Sequence, residues 1–330
     1  MFTMSRFTPR DARPLADFLN DLRQNHWSLT SLAYMRRPAT VPLVAPADLV
    51  AGEMQALRIG TWLLRCGDRI ISMLQLDDRD GDGRVALFSC VETHPEYQRR
   101  GTFWRHLGEP CLRQICARGY EVLEAQTWPL NRKGIPLYKR FGFRGVPGTA
   151  LRMENYLPLI IRHPGARPFL ARHDYLRALQ CRRSYGYDGS TTCRLSVFAY
   201  HWQAGLEQLR VTVDRERQQV VAVQTDAWSV WCFVSERTPH CVFYYVRNRT
   251  RQLLPYRVRV RSTADPGPGL LRRLASGRSV SGHFRLCDPS GGPPAGMTVE
   301  FELGGLAVPF RLCRQKRHER REPTVSQAAG

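Results

Sequence analysis

The sequence predicts an α+β protein in two parts, and three observations carry that reading. Over residues 1–157 helical and strand periods of hydrophobicity interleave, whereas from Cys193 onward one short strand pattern follows another. Between these stretches Pro158–Pro168 reads as a linker. The expected division is a mixed domain over 1–157, a linker over 158–168, a mainly β domain over 169–313 and a disordered basic tail over 314–330, which is polar and charged throughout.

The first helix is expected after Thr8-Pro9-Arg10-Asp11, which supplies a capping residue, a proline suited to an opening turn and an acid three residues on. Leu15, Phe18, Leu19 and Leu22 then recur at helical spacing. Residues 25–53 are less regular, with a short helix expected around Ala47–Met54. Leu57–Cys66 and Arg69–Leu76 alternate about Gly67-Asp68 and predict a hairpin. The run Asp77-Asp78-Arg79-Asp80-Gly81-Asp82-Gly83 has the acids of a calcium loop, but the closing glutamate is missing and strands flank it, so a solvated turn is expected.

Arg84–Thr93 predicts a further strand, and Phe103, Leu107, Cys111 and Ile115, spaced by four, predict a helix beyond it. Pro110 removes a hydrogen bond from that helix and should kink it. The turn between strand and helix is basic and contains Gly101, which lets the backbone approach a ligand closely. A helix start carries unpaired N–H groups and partial positive charge, so such a turn can hold a phosphate or pyrophosphate; the plain alternative is a turn and nothing more. One strand later, after Val122–Thr127, comes Asn131-Arg132-Lys133-Gly134-Ile135-Pro136-Leu137-Tyr138-Lys139-Arg140-Phe141-Gly142-Phe143. Pro136 suits the first turn of a helix that carries Tyr138 and ends before Gly142.

Together, His94-Pro95-Glu96-Tyr97 with Gln98 and Gly101, then Asn131, Gly134, Tyr138, Gly142 and Phe143 in that order, resemble the two motifs of the GNAT superfamily of acetyl-coenzyme A dependent N-acetyltransferases. The resemblance covers residues 1 to about 157. It implies the GNAT fold, a mixed, mostly antiparallel central sheet flanked by helices, in which Arg84–Thr93 and Val122–Thr127 splay apart and the pantetheine arm of acetyl-coenzyme A enters the gap. It implies contacts to that cosubstrate from Val91, Thr93, Gln98, Arg99, Arg100, Gly101, Thr102, Phe103 and Asn131, with a backbone amide near Thr93 stabilising the oxyanion. Tyr138 would return a proton to the departing thiolate, a task suited to a phenol of pKa about 10. Residues 25–53 would lie over the acceptor site. Phe103 departs from the family, which has a small residue there, so the diphosphate is expected to sit looser or shifted, with Arg99 and Arg100 contributing through charge. For the general base Glu92 and Glu124 both qualify by position, and strand alternation leaves open which of them faces the gap.

In the second half Cys193–Tyr200, Gln208–Asp214, Gln219–Thr225, Ala227–Val234, Cys241–Arg247, Tyr256–Ser262, Val299–Leu303 and Ala307–Leu312 predict an antiparallel sandwich or barrel, preceded by a short helix around Phe169–Arg182. The chain carries 49 basic and 29 acidic residues, net +20. Residues 1–157 hold 22 and 16 of these, net +6, and residues 158–330 hold 27 and 13, net +14. Arg257, Arg259 and Arg261 share one face of a strand, which either tracks an anionic partner or is a solvated face. Only Lys133, Lys139 and Lys316 are lysine, so a general arginine bias accounts for the charge equally well.

The ten cysteines form no Cys-x-x-Cys pair and have no histidine at metal spacing, so free thiols in a reducing cytoplasm are expected, and no metal. No run of eighteen apolar residues predicts a transmembrane helix, and the start lacks a signal-peptide pattern. The expected function is transfer of an acetyl group from acetyl-coenzyme A to a small-molecule or peptide amine, the β domain completing the acceptor pocket or mediating homodimerisation. The alternative is a catalytically weak acyl-coenzyme A sensor whose basic β domain binds nucleic acid or another anionic partner.

Overall fold

The computed structural model describes residues 1–29, 40, 42–128, 131, 133–146, 149, 151–180, 197–234, 241–261, 272–285 and 297–312. They fall into two compact units, one within Met1–Arg162 and Arg172–Thr192, the other within His163–Ala171 and Cys193–Gly330.

The first unit runs β1 (Phe2–Arg6), α1 (Ala12–Asn25), α2 (Pro46–Glu53), β2 (Arg58–Cys66), β3 (Arg69–Asp78), β4 (Val85–Thr93), α3 (Glu109–Ala117), β5 (Val122–Gln126), α4 (Gly134–Arg140), β6 (Arg144–Gly145), β7 (Arg152–Asn155) and α5 (Leu157–Arg162). Its seven strands form one sheet in the order β1-β2-β3-β4-β5-β7-β6. Every neighbouring pair is antiparallel except β4 with β5. The mixed, mostly antiparallel sheet with flanking helices is therefore present as expected. The edge strand β1 adds to that expectation: five residues that are half exposed carry too little periodicity to read.

The α1 start is held as its sequence suggests, the Asp11 carboxylate accepting from the Thr8 N–H at 2.7 Å and the Thr8 hydroxyl at 2.8 Å. Leu15, Phe18 and Leu22 of α1 pack with Leu63 of β2 and Met73 of β3, covering one face of the sheet. Leu64 and Leu74, on the alternate face, are also fully buried, so helices cover both sides. The acidic run is a turn: Asp78 accepts from the Gly81 and Gly83 amides at 3.0 and 2.9 Å.

Two irregularities shape the middle of this unit. Gln75 pairs with Cys90 but Leu76 pairs with Phe88, so Ser89 is an extra residue in β4. The chain from Trp104 to Gly108 forms a π turn, in which the Glu109 N–H donates to the Trp104 carbonyl five residues back. Pro110 follows this π turn inside a helical run that extends from 102 to 117, so it has no N–H to give to the carbonyls behind it, and the widened turn lies directly ahead of its ring. Gly108 leaves room for the Trp104 ring, which stacks on Phe141, since a Cβ there would lie 2.7 Å from it.

The stretch 158–168, expected as a linker, contains most of α5 and the start of α6 (Arg167–Arg172). Pro158 and Pro168 are each the second residue of their helix, where proline is compatible with helix, and Leu157 and Ile160 are fully buried. The helix expected around Phe169–Arg182 is thus shorter and earlier, and residues 181–182 lie outside the described residues.

The second unit holds β8 (Val197–Ala204), β9 (Glu207–Asp214), β10 (Gln219–Thr225), β11 (Trp228–Val234), β12 (Cys241–Asn248), β13 (Leu254–Arg261), β14 (Arg272–Leu274), β15 (Ser279–Arg285), β16 (Thr298–Leu303) and β17 (Leu306–Arg311). They form two antiparallel sheets, β15-β12-β11-β10-β9-β8 and β14-β13-β16-β17. Tyr244 of the first sheet meets Phe301 of the second edge-on at 5.8 Å, and Phe301 meets Phe310 at 5.5 Å, so aromatic rings bridge the two layers. Arg257 and Arg259 each lie 3.6 Å from Glu302 on the adjacent β16, which partly neutralises the arginine face. The tail 314–330 lies outside the described residues. Among the described residues, no helix is long and apolar enough to cross a membrane.

Candidate active site

The parallel pairing of β4 with β5 runs from Val85 and Val122 to Phe88 and Ala125 and stops there. The chain of β4 continues five residues further, to Thr93, held on that stretch by β3 alone. The two strands therefore part beyond Phe88, leaving one backbone edge of residues 89–93, Val91 and Thr93 among them, without a strand on the β5 side among the described residues. Phe88 and Phe143 meet edge-on at 5.4 Å beside this gap, and Tyr138 of α4 meets Phe143 at 5.5 Å.

Because Ser89 is extra, Cys90 and Glu92 point to the face that Met73 shares with α1 and α2, and Val91 and Thr93 to the other. Glu92 is 7 % exposed. Burial pushes the Cys90 thiol up to about 12, and the nearby Glu92 charge adds to the shift. Burial also raises the Tyr138 phenol above its usual range, with further contributions from Cys90 and Glu92. The Tyr138 phenol thus feels both Cys90 and Glu92, so the two candidate catalytic side chains lie near enough for charge on one to act on the other. At neutral pH the phenol keeps its proton and is available as a donor.

Glu124 sits elsewhere. It is almost wholly buried, forms an ion pair with Arg79, lies 3.9 Å from Arg152 and accepts from Gln126 at 3.4 Å. Burial raises its carboxyl, and the two arginines oppose that shift. Of the two candidate bases, only Glu92 joins the Tyr138 cluster.

The turn after β4 is built from unusual backbone. His94 opens a 3-10 turn over Pro95–Tyr97, and Arg99 and Gly101 then take left-handed φ values of 63° and 70° around Arg100. Left-handed residues are the kind of backbone from which anion-binding concavities of main-chain amides are built. Arg99 and Arg100 are exposed, Thr102 is buried and Phe103 is half-buried at the start of the helix. The Gln98 amide donates to the Thr93 carbonyl at 2.9 Å and accepts from Lys133 Nζ at 3.2 Å, tying the end of β4 to the start of α4. The Thr93 hydroxyl lies 2.8 Å from Ser72 Oγ, which donates to the Glu92 carbonyl at 2.7 Å.

Asn131 has a local task that its motif position does not announce. Its Oδ1 accepts from the Gly134 N–H at 2.7 Å and its Nδ2 donates to Thr127 Oγ1 at 2.8 Å, which caps α4. A Cβ on Gly134 would lie 2.4 Å from Asn131 Nδ2, so the small residue three positions on is a steric requirement of that cap.

Sequence reading missed a second polar cluster, formed by Asp21 and His26 at the end of α1 with His94. Asp21 and His94 line a pocket of about 310 Å³ together with Pro14, Asp17, Phe18, Asp68, Arg69 and Ile70, and the His26 ring meets that of His94. His94 is 4 % exposed. Burial, and then the Arg69 guanidinium, hold its imidazole below the usual range; the hydrogen bond from Asn25 leads the lowering at Asp21. No spacing rule joins His94 to residues of α1.

The sequence matches no family model, and no curated protein sequence matches it. Solved structures match the first half. An acetyltransferase from Thermus thermophilus is 25 % identical, covering 48 % of this chain and 97 % of its own at a TM-score of 0.37. A spermidine N-acetyltransferase from Vibrio cholerae in complex with CoA and spermine is 18 % identical over 46 % and 94 %, at 0.36. The PaiA N-acetyltransferase from Thermoplasma acidophilum in complex with coenzyme A is 13 % identical over 47 % and 99 %, at 0.36. The strand order of the first unit, its single parallel pair and the parting of that pair beyond Phe88 are those of the GNAT fold, and further antiparallel sheets follow it.

Proposed function

We propose that residues 1–157 transfer an acetyl group from acetyl-coenzyme A to an amine by direct attack. The observation that carries this reading is the cluster of Glu92 and Tyr138 beside parted strands whose far end opens into a left-handed basic turn. In this proposal the amides of Arg99 to Phe103, with the Arg99 and Arg100 side chains, hold the diphosphate, and the exposed edge of Val91 to Thr93 receives the pantetheine arm. Asn131 acts through the α4 cap, which orients Tyr138.

Glu92 accepts a proton from the acceptor ammonium, directly or through water, freeing the nitrogen lone pair. That lone pair attacks the thioester carbonyl, and a β4 amide near Thr93 steadies the oxyanion. As the carbon–sulfur bond breaks, Tyr138 passes its proton to the thiolate; the second proton shed by the acylated nitrogen restores the phenol through water, and Glu92 releases the first to solvent. The raised phenol favours this role over that of a base. The absent small residue at Phe103 affects only one amide of the turn, since the left-handed geometry at Arg99 and Gly101 is intact.

The test is release of free coenzyme A thiol from acetyl-coenzyme A with a panel of amines, beside calorimetry of acetyl-coenzyme A binding. Saturable binding with amine-dependent thiol release is expected. Binding without release on any amine would favour an acyl-coenzyme A sensor, and absence of binding would overturn both readings.

A further inference from the structure

We propose that Asp21, His26 and His94 bind one divalent transition-metal ion of the zinc class, independently of the acyl-transfer reading. One ligand atom from each of these residues lies within 4.8 Å of the others. Asp21 Oδ2 is 3.3 Å from His94 Nε2 and 3.9 Å from His26 Nε2. Ligand atoms around a tetrahedral zinc, bonded at about 2.0–2.2 Å, lie about 3.4 Å apart. Small side-chain adjustments therefore suffice. Two imidazoles and a carboxylate suit zinc, and also cobalt or nickel, and leave a fourth position for water or another ligand.

The surroundings orient each ligand. Asn25 donates to Asp21 Oδ1 at 2.8 Å, leaving Oδ2 on the side of the histidines. His26 ends α1 and leaves helical geometry at φ −132° and ψ 23°, which turns its ring away from the helical path. The two imidazoles meet edge-on at 5.2 Å. His94 is held at the start of the 3-10 turn, where its Nδ1 accepts from the Glu96 N–H at 3.4 Å and lies 3.5 Å from the Glu96 carboxylate. When Nε2 ligates a metal, Nδ1 carries the proton and exchanges the Glu96 amide for the Glu96 carboxylate beside it, which fixes the ring.

One group already behaves as a cation at this centre. Arg69 Nη2 lies 2.8 Å from His94 Nε2, and its Nη1 lies 3.2 Å from Glu96. Its side chain is 54 % exposed, so the guanidinium can swing into solvent when an ion arrives. Arg69 is thus a built-in competitor that sets a modest affinity. An ion here ties the end of α1 to the residue that opens the 3-10 turn after β4.

The test uses the tag-free full chain, stripped with a chelator, then equilibrated with zinc sulfate and assayed for bound metal, with cobalt as a spectroscopic substitute. One equivalent is expected, with a cobalt spectrum of nitrogen and oxygen ligation. His26→Gln changes a partly exposed side chain outside the helix and should preserve the fold, as circular dichroism would verify, yet weaken binding at least about tenfold. Arg69→Met should strengthen binding. No retained ion, a cobalt spectrum of thiolate ligation, or equal binding by the parent and His26→Gln would each overturn the proposal.

Discussion

Two sets of buried polar groups, one in each unit, are held in opposite ways. In the second, the Arg217 N–H and Nη1 both donate to the Asp214 carboxylate, at 3.0 and 2.8 Å, with both side chains nearly inaccessible. Asn248 is fully buried and closes its own requirements: its Nδ2 donates to the Gln252 and Leu274 carbonyls, and its Oδ1 accepts from the Thr250 N–H and hydroxyl. In the first unit, Cys90, Glu92 and Tyr138 come from a strand and a helix far apart in the chain and share one electrostatic environment. A scaffold pairs its buried polar atoms completely. Titratable groups gathered from afar, with the Cys90 thiol and the Tyr138 phenol both raised, are what the proposed acyl transfer calls for at this place.

The largest expected effects test that contrast directly. Tyr138→Phe and Glu92→Gln should each lower kcat for acetyl transfer by about 10²–10⁴-fold, with the urea midpoint unchanged. Stability falling in step with activity would place these residues with Asp214 and Arg217 instead. Conversely, Arg217→Met leaves a buried carboxylate unpaired and should cost about 3–5 kcal/mol of unfolding free energy in denaturant titration, while thiol release per folded molecule stays at the parent rate.

A smaller effect should appear with acid. In the second unit the His163 Nδ1 accepts from the Gly165 N–H at 3.2 Å and its other nitrogen donates to the Pro309 carbonyl at 2.9 Å, an arrangement that requires the neutral ring. Burial lowers its pKa to about 4. The unfolded chain takes up a proton near about 6.5 and the folded chain only near the lower value, so the contribution is full above about 6.5 and is lost as the pH falls toward 4. Thermal unfolding of the second unit followed between about pH 7 and pH 5 should show this loss, and His163→Gln should flatten it. Smallest of all, Thr8→Ala removes one hydrogen bond to Asp11 ahead of α1 and should cost about 0.5–2 kcal/mol, measurable as a lower midpoint with unaltered kcat.

Much of the first unit is legible because its signals are local. The Thr8-Pro9-Arg10-Asp11 start, the Gly67-Asp68 hairpin and the helix carrying Tyr138 each rest on spacing within a few residues, and α1, β2 with β3, and α4 follow. The linker expectation fails because the prolines at 158 and 168 occupy the opening turns of helices instead of breaking them. Strands β14 and β15 escape a sequence reading: three residues are too few to show a period, and β15 carries Ser281, Gly282 and His283 at its centre. The motif spacing marks Asn131 but not its cap on Gly134, and nothing local could reveal that His94 meets Asp21 and His26.

The surplus residue Ser89 sets the parity of everything downstream in β4. Without it, the same letters from Cys90 to Thr93 would be rotated half a turn about the strand, presenting Val91 to α1 and sending the Glu92 carboxylate to the opposite side. One inserted position, inconspicuous in the sequence, therefore decides which chemical alphabet the opening between the strands can read.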